Sequence, residues 1–180
     1  QTETPSKMEE WLEDVTLTGL TFNQYARQVI RERLATGRYG ELVDWSEDLG
    51  RPYIVGFAAE NILNWRTENI DGDQTLTMVV LLEQVEDPDN TDEFETDTID
   101  QYRVLKLVDG IYVSELWQDQ AQSESEGGSS DAFRIVDTAI PTRRGQRLDY
   151  IPFTFYGVAE NSPTPEKPPL LDLVDLNLAD

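Results

Sequence analysis

Apolar residues recur at helical spacing at the start of the chain, change to a two-residue alternation after residue 40, and return to helical spacing at the end. In the first stretch Met8, Trp11, Leu12 and Val15 fall at helical intervals behind Ser6 and Glu9, which have the spacing of a capping box. A short amphipathic helix is therefore predicted over about residues 7–15. Thr21 and Gln24 repeat the capping-box spacing; Phe22, Tyr25, Ala26, Val29, Ile30 and Leu34 then form one apolar face, and Gly37 stands where a C-cap is wanted. The polar face of this second helix carries Arg27, Arg31 and Arg33, joined by Arg38. Solvated cations or ion pairs to neighbouring acids account for them more simply than a ligand site does.

After Gly40 the period shortens. Glu41–Trp45 and Pro52–Phe57 read as short strands around the turn-rich stretch 46–50. The stretch Ala59-Glu60-Asn61-Ile62-Leu63-Asn64-Trp65-Arg66 reads as a helical turn ending on a tryptophan–arginine pair. Ile62, Leu63 and Trp65 are its expected core anchors, with Asn64 available to bond a neighbouring backbone. Asp71-Gly72 divides Trp65–Ile70 from Leu76–Gln84, and Asp109-Gly110 divides Tyr102–Val108 from Ile111–Trp117; both are hairpin signals. Two polar segments, Glu86–Asp100 and Asp119–Asp131, interrupt the strands and read as mobile loops. Ala132–Ala139 and Leu148–Val158 supply further β-material around a basic turn at Arg143, Arg144 and Arg147. A proline-rich connector from Pro163 to Pro169 leads into a helix beginning near Leu170.

The pattern predicts an α+β chain: an N-terminal helical pair over 1–40, a mostly antiparallel β-region built from hairpins over 41–160, and a connector with a truncated C-terminal helix over 161–180. With 180 residues, 38% of them hydrophobic, the chain is long enough to bury a core. It starts without methionine and stops at Leu178-Ala179-Asp180 within an apolar helical pattern, so it is expected to be an internal piece of a longer protein. Leu170, Leu171, Leu173, Val174, Leu176 and Leu178 place apolar groups nearly all round that helix, which calls for a partner or further sequence.

Charge and missing residue types narrow the chemistry. Thirty-six acids against 14 bases give a formal net charge of −22, which disfavours a phosphate-gripping surface and suits a soluble one. Neither cysteine nor histidine is present, so disulfides, thiol nucleophiles, imidazole bases and the usual zinc ligands are excluded. Absence of cysteine fits a reducing compartment. No run approaches the roughly 20 apolar residues needed to span a bilayer as a helix. The acids of Asp87-Pro88-Asp89-Asn90-Thr91-Asp92-Glu93 suggest a hard cation, but the stretch lacks the glycine and bidentate glutamate register of an EF-hand, and solvated acids are the simpler reading. A carboxylate pair for glycoside-type hydrolysis is uninformative among 36 acids. No nucleophile elbow, Walker loop or Gly-x-Gly-x-x-Gly occurs, so no enzyme activity, cofactor or catalytic residue is expected.

Taken in order, Leu42-Val43-Asp44-Trp45, Arg51-Pro52-Tyr53, Ala59–Arg66, Gln101-Tyr102-Arg103-Val104-Leu105, Ile151-Pro152-Phe153 and Pro168-Pro169-Leu170-Leu171-Asp172-Leu173-Val174-Asp175-Leu176-Asn177 resemble a family of tailed-phage portal-like proteins, known largely as a domain of unknown function. The resemblance runs through nearly the whole chain. It implies a structural subunit of a phage or prophage ring at the capsid vertex, through which DNA passes during packaging and ejection without specific binding. It also implies assembly in the bacterial host cytoplasm into a virion, with no membrane association. Partners would be further copies of the chain, the terminase motor that hydrolyses ATP, the capsid and head–tail adaptors. Family-motif positions would be Glu60, Asn61, Asn64, Trp65, Arg66, Arg103, Leu170, Asp172, Leu173 and Asn177. Glu60 and Arg66 would be candidates for inter-subunit ion pairs, and the C-terminal helix would lead toward a stem, with wing or clip left open for the β-region. The rival reading is an acidic monomeric binding module, with calcium dependence through the loops at 86–100 and 119–131 as one form of it. A carboxylate-based hydrolase is a third.

Overall fold

The computed structural model describes residues 6–87, 91, 94–119 and 133–178. The chain is α+β, with helices and antiparallel sheets, and it separates into two compact units. One comprises Gln1–Glu60 together with Pro152–Asp180, and the other is the intervening Asn61–Ile151.

In the discontinuous unit, helix α1 (Lys7–Glu13) and helix α2 (Phe22–Thr36) both begin with complete capping boxes, Ser6 with Glu9 and Thr21 with Gln24. Each box satisfies two backbone N–H groups that the first helical turn leaves without an intrahelical partner. Helix α1 ends at Asp14, so Val15 falls in the following loop, where it is fully buried and its carbonyl accepts from the Ile54 N–H. Arg51 holds that loop through the Asp14 carbonyl and carboxylate, and the Trp11 indole N–H donates to the Pro52 carbonyl. Gly37 ends α2 in a left-handed conformation, and a Cβ there would lie 2.4 Å from the Glu166 carbonyl oxygen. The bare C-cap therefore also seats the proline-rich connector.

Strands β1 (Arg38–Ser46) and β2 (Arg51–Ala58) form a hairpin, and β10 (Phe153–Gly157) returns across the chain to pair with the other side of β1. Tyr39, Ile54, Tyr25, Val29 and Val15 form a buried cluster on one face, with Trp11 and Tyr156 packed against it. Leu42, Phe57, Phe153, Phe155 and Arg38 are also buried, and the Arg38 guanidinium lies 4.8 Å from the Phe155 ring centre.

The continuous unit is a five-stranded antiparallel meander, ordered β3 (Ile62–Ile70), β4 (Asp73–Glu86), β5 (Thr98–Val108), β6 (Ile111–Asp119) and β7 (Phe133–Ala139). A two-residue-turn hairpin, β8 (Thr142–Arg143) with β9 (Gln146–Arg147), follows it. Val79, Leu81 and Leu105 are fully buried and occupy one face of the meander. On that face the Glu83 carboxylate accepts two bonds from Arg103, at 2.6 and 3.2 Å, and one from the Gln101 amide.

The structure corrects several expectations. The compact units do not follow the division at residues 40 and 160: the strand after α2 starts at Arg38 and packs with that helix, and the inserted unit starts at Asn61. Of the β-material expected over Leu148–Val158, only Phe153–Gly157 forms a strand, and it pairs with β1. The helical turn at 59–66 shrinks to a 3-10 turn at Ala59–Asn61, because the following residues enter the β3–β4 ladder. Leu63 is consequently exposed and is no core anchor, whereas Ile62 is buried. Arg33 and Arg38 are not solvated cations. Arg33 donates to the Gly157 and Val158 carbonyls at 2.6 and 3.1 Å, and Arg38 is buried beside Phe155. Arg27 and Arg31 remain exposed. Phe22, Ile30 and Leu34 are each more than 40% exposed, so only Tyr25 and Val29 of the apolar α2 face are buried.

Candidate functional site

A polar constellation centred on Glu41 lies on the α2 face of the β10–β1–β2 sheet. Two-residue alternation along β1 puts Tyr39 and Glu41 on the same face, and the ladder sets Tyr156 opposite Tyr39 and Gly56 opposite Glu41. The hydroxyls of Tyr25 and Tyr156 both donate to Glu41 Oε2, at 3.1 and 3.2 Å, and the Gln28 amide donates to the Tyr39 hydroxyl at 3.3 Å. Tyr39 is 2% exposed and passes so close over Gly56 that a Cβ there would lie 1.9 Å from its hydroxyl oxygen.

Burial dominates the electrostatics of this group. Loss of solvent raises the Glu41 carboxyl above the ordinary carboxylate range, and the two phenol bonds offset only part of that rise. Burial first, and then the Glu41 charge, push the Tyr156 hydroxyl up to about 12 and the Tyr25 hydroxyl further. Tyr39 is raised mainly by burial as well. At neutral pH the phenols therefore act as hydrogen-bond donors and not as bases. With both donors directed at one carboxylate oxygen, the arrangement joins α2, β1 and β10 through a half-buried carboxyl group; its evident work is to fix their packing.

The family-motif positions do not converge on one site. Glu60 and Asn61 sit on the 3-10 turn, Glu60 exposed and Asn61 half-buried. Asn64, Trp65 and Arg66 lie on β3, where the Asn64 side chain accepts from the Trp65 N–H at 2.9 Å and the Arg66 carbonyl accepts from Thr77. Arg103 is on β5, engaged with Glu83. Leu170 donates its N–H to the Leu34 carbonyl at 3.2 Å, tying the connector to α2. Asp172 and Leu173 follow on helix α3 (Leu171–Leu178), with Asp172 paired to Lys167 and Leu173 56% exposed. Asn177 lies in the last turn of α3, and its side chain is outside the described residues. Ile30, Arg33, Leu34, Val158 and Pro169 line a shallow depression of about 160 Å³ beside this connector.

Most of the acidic loop considered for calcium, including Asp89, Asn90, Asp92 and Glu93, lies outside the described residues, as does the serine–glutamate stretch at 123–130. Among the described residues no group of three or more histidine, cysteine, aspartate or glutamate side chains is placed to hold a metal ion. Likewise, no described helix is long and apolar enough to cross a membrane. Sequence reasoning missed the Glu41 cluster. Its signal was the Tyr39–Glu41 alternation followed by Tyr156 within an aromatic strand, but one acid among 36 does not stand out until a sheet gathers its partners.

Comparison with known proteins gives no matching family model, and no curated protein matches the chain.

Proposed function

We propose that this chain is part of a phage or prophage portal-like protein, a structural ring subunit that passes DNA and performs no catalysis. The ordered set of sequence segments that resembles the portal-like family suggests the reading, and the state of α3 is the observation that carries it furthest. Leu171, Leu173 and Leu176 are 41%, 56% and 66% exposed on one eight-residue helix. Leucines gathered this way on a short helix mark a surface meant for apolar cover. In a ring subunit such a helix leads into a stem and is covered by the stem and its neighbours.

The charge supports the same reading. A net charge of −22 suits a surface past which DNA slides without being held. In this reading the N-terminal helices, the hairpin-built wing or clip and the stem-like helix belong to one subunit. Further copies, the terminase motor, the capsid and head–tail adaptors are its partners, and the virion its destination. Electron microscopy and mass photometry of the whole polypeptide test the proposal: ring particles of uniform subunit number are expected. A polypeptide that stays monomeric from low to high salt overturns it, and calcium-dependent binding by such a monomer would favour the acidic binding module.

A further inference from the structure

Several described basic residues are held inside the chain, while others are exposed singly, as Arg27, Arg31, Arg66 and Arg134 are. Arg33, Arg38, Arg51, Arg103, Lys106 and Lys167 are engaged inside the chain by carbonyls, carboxylates or an aromatic ring. Arg143, Arg144 and Arg147, by contrast, are exposed together on the β8–β9 hairpin, and none of them forms an ion pair among the described residues. The ladder pairs Arg143 with Gln146 and Thr142 with Arg147, so Arg143 and Arg147 point to opposite faces while Arg144 occupies the tip. At the tip Arg144 has φ 53° and Gly145 φ 79°. Both central residues of this turn need positive φ, for which asparagine or aspartate before glycine is favoured, as at Asp71-Gly72 and Asp109-Gly110. An arginine held there against its backbone preference points to a use for the charge.

Topology sets this charge apart from the acidic segment at the far end of the same sheet. The hairpin leaves β7 beyond Ala139, at the end of the sheet where Val108 faces Ile111, and Leu148 just after it accepts from the Tyr112 N–H. Exposed Glu86, Glu95, Asp97 and Asp100 lie at the other end, where Glu86 faces Thr98. The 11 residues of β5 span the interval, about 36 Å at roughly 3.3 Å per residue. That is several times the Debye length of about 10 Å at 0.1 M salt, so the two poles do not neutralise each other within one chain. At the hairpin's own end, exposed Asp109 on the adjoining turn and Asp149, two residues after Arg147, offset part of the charge of the three arginines.

We infer that the Arg143–Arg147 hairpin is a docking element for a second copy of this chain, received by the acidic end of the neighbouring sheet around Glu86 and Asp97. Such a contact is head-to-tail: each copy uses two different patches, which is the geometry that closes rings. Charge favours this occupant over DNA, because the body behind the hairpin carries a net −22 and repels phosphate as a whole, while every further copy offers carboxylates. The inference rests on the ring reading and assigns one of its interfaces.

Charge exchange in the whole polypeptide tests it by mass photometry. Replacing Arg143, Arg144 and Arg147 with glutamate should shift particles to monomers, weakening association about 10-fold or more if each exposed pair contributes two- to five-fold. Glutamine at the same three positions should give a smaller loss. Glu86→Lys with Asp97→Lys should also break assembly, and both exchanges in one chain should restore it. Rings indifferent to the arginine exchange, or a folded doubly exchanged chain that stays monomeric, overturn the inference while leaving the ring reading intact. Loss of binding to a labelled DNA duplex with assembly unchanged reassigns the hairpin to nucleic acid and overturns it too. A wild type that never assembles removes the ring reading along with this one.

Discussion

Gly56→Ala is the smallest change that strikes the Glu41 cluster. The new methyl carbon would sit 1.9 Å from the Tyr39 hydroxyl oxygen and 2.7 Å from the ring carbon bearing it. Tyr39 is 2% exposed among Tyr25, Val29 and Ile54, so its ring cannot swing into solvent. Either the ring leaves its rotamer or β2 shifts against β1. Overpacking of this kind costs about 1–3 kcal/mol. Loss of the Gln28–Tyr39 bond adds about 1 kcal/mol. Replacing a strand glycine returns roughly 0.5–1 kcal/mol through the unfolded chain. The net destabilisation is therefore about 1–3.5 kcal/mol, and for a chain of 180 residues the melting temperature should fall by roughly 2–14 °C. Urea unfolding followed by tryptophan fluorescence measures it. Tyr39→Phe removes the oxygen nearest the new methyl, so Gly56→Ala should cost less in that background, with a coupling of about 1 kcal/mol. A Gly56→Ala protein within about 0.5 kcal/mol of wild type, or a cycle without coupling, refutes the close packing of Tyr39 over Gly56.

Other substitutions probe the two units separately. Burial raises the folded pKa of Glu41 above its unfolded value near 4.5, so its contribution to stability is fully present below about pH 4.5 and is lost as pH rises through the folded value. Glu41→Gln keeps an oxygen for both phenol donors and removes the charge, so its urea midpoint should exceed wild type at pH 7 and converge on it at pH 4; a lower midpoint at pH 7 contradicts this account. Arg103→Met leaves the Glu83 carboxylate, 14% exposed, without its main partner and should cost about 1–3 kcal/mol, with Glu83→Met in the same chain recovering part of the loss by denaturant titration. Leu81→Ala, at a fully buried site on β4, an interior strand of the five-stranded sheet, should cost about 2.7–5 kcal/mol by calorimetry or urea; a cost below 1 kcal/mol would mean that the sheet face is not packed there.

Local chemistry was legible wherever the signal spans a few residues. Ser6 with Glu9 and Thr21 with Gln24 set the helix starts, Gly37 ends the second helix, and Asp71-Gly72 and Asp109-Gly110 turn strands, because each acts through hydrogen bonds or backbone angles within one turn of chain. The α+β class followed from the change of hydrophobic period. Sequence also excluded thiol and imidazole chemistry outright, since those atoms are missing. What tertiary structure decided depends on residues far apart. Phe153–Gly157 pairs with β1 across the whole inserted unit, and no local pattern states which distant strand will supply the missing ladder. Register put Leu63 outside and Ile62 inside, although both are equally apolar. Arg38 looked like one more surface cation until β10 laid Phe155 beside it. Glu41 gained its importance the same way, when Tyr25 and Tyr156 arrived from a helix and a strand at opposite ends of the sequence. A side chain's type is written locally, but its burial, partners and proton affinity depend on which distant surfaces the fold brings against it.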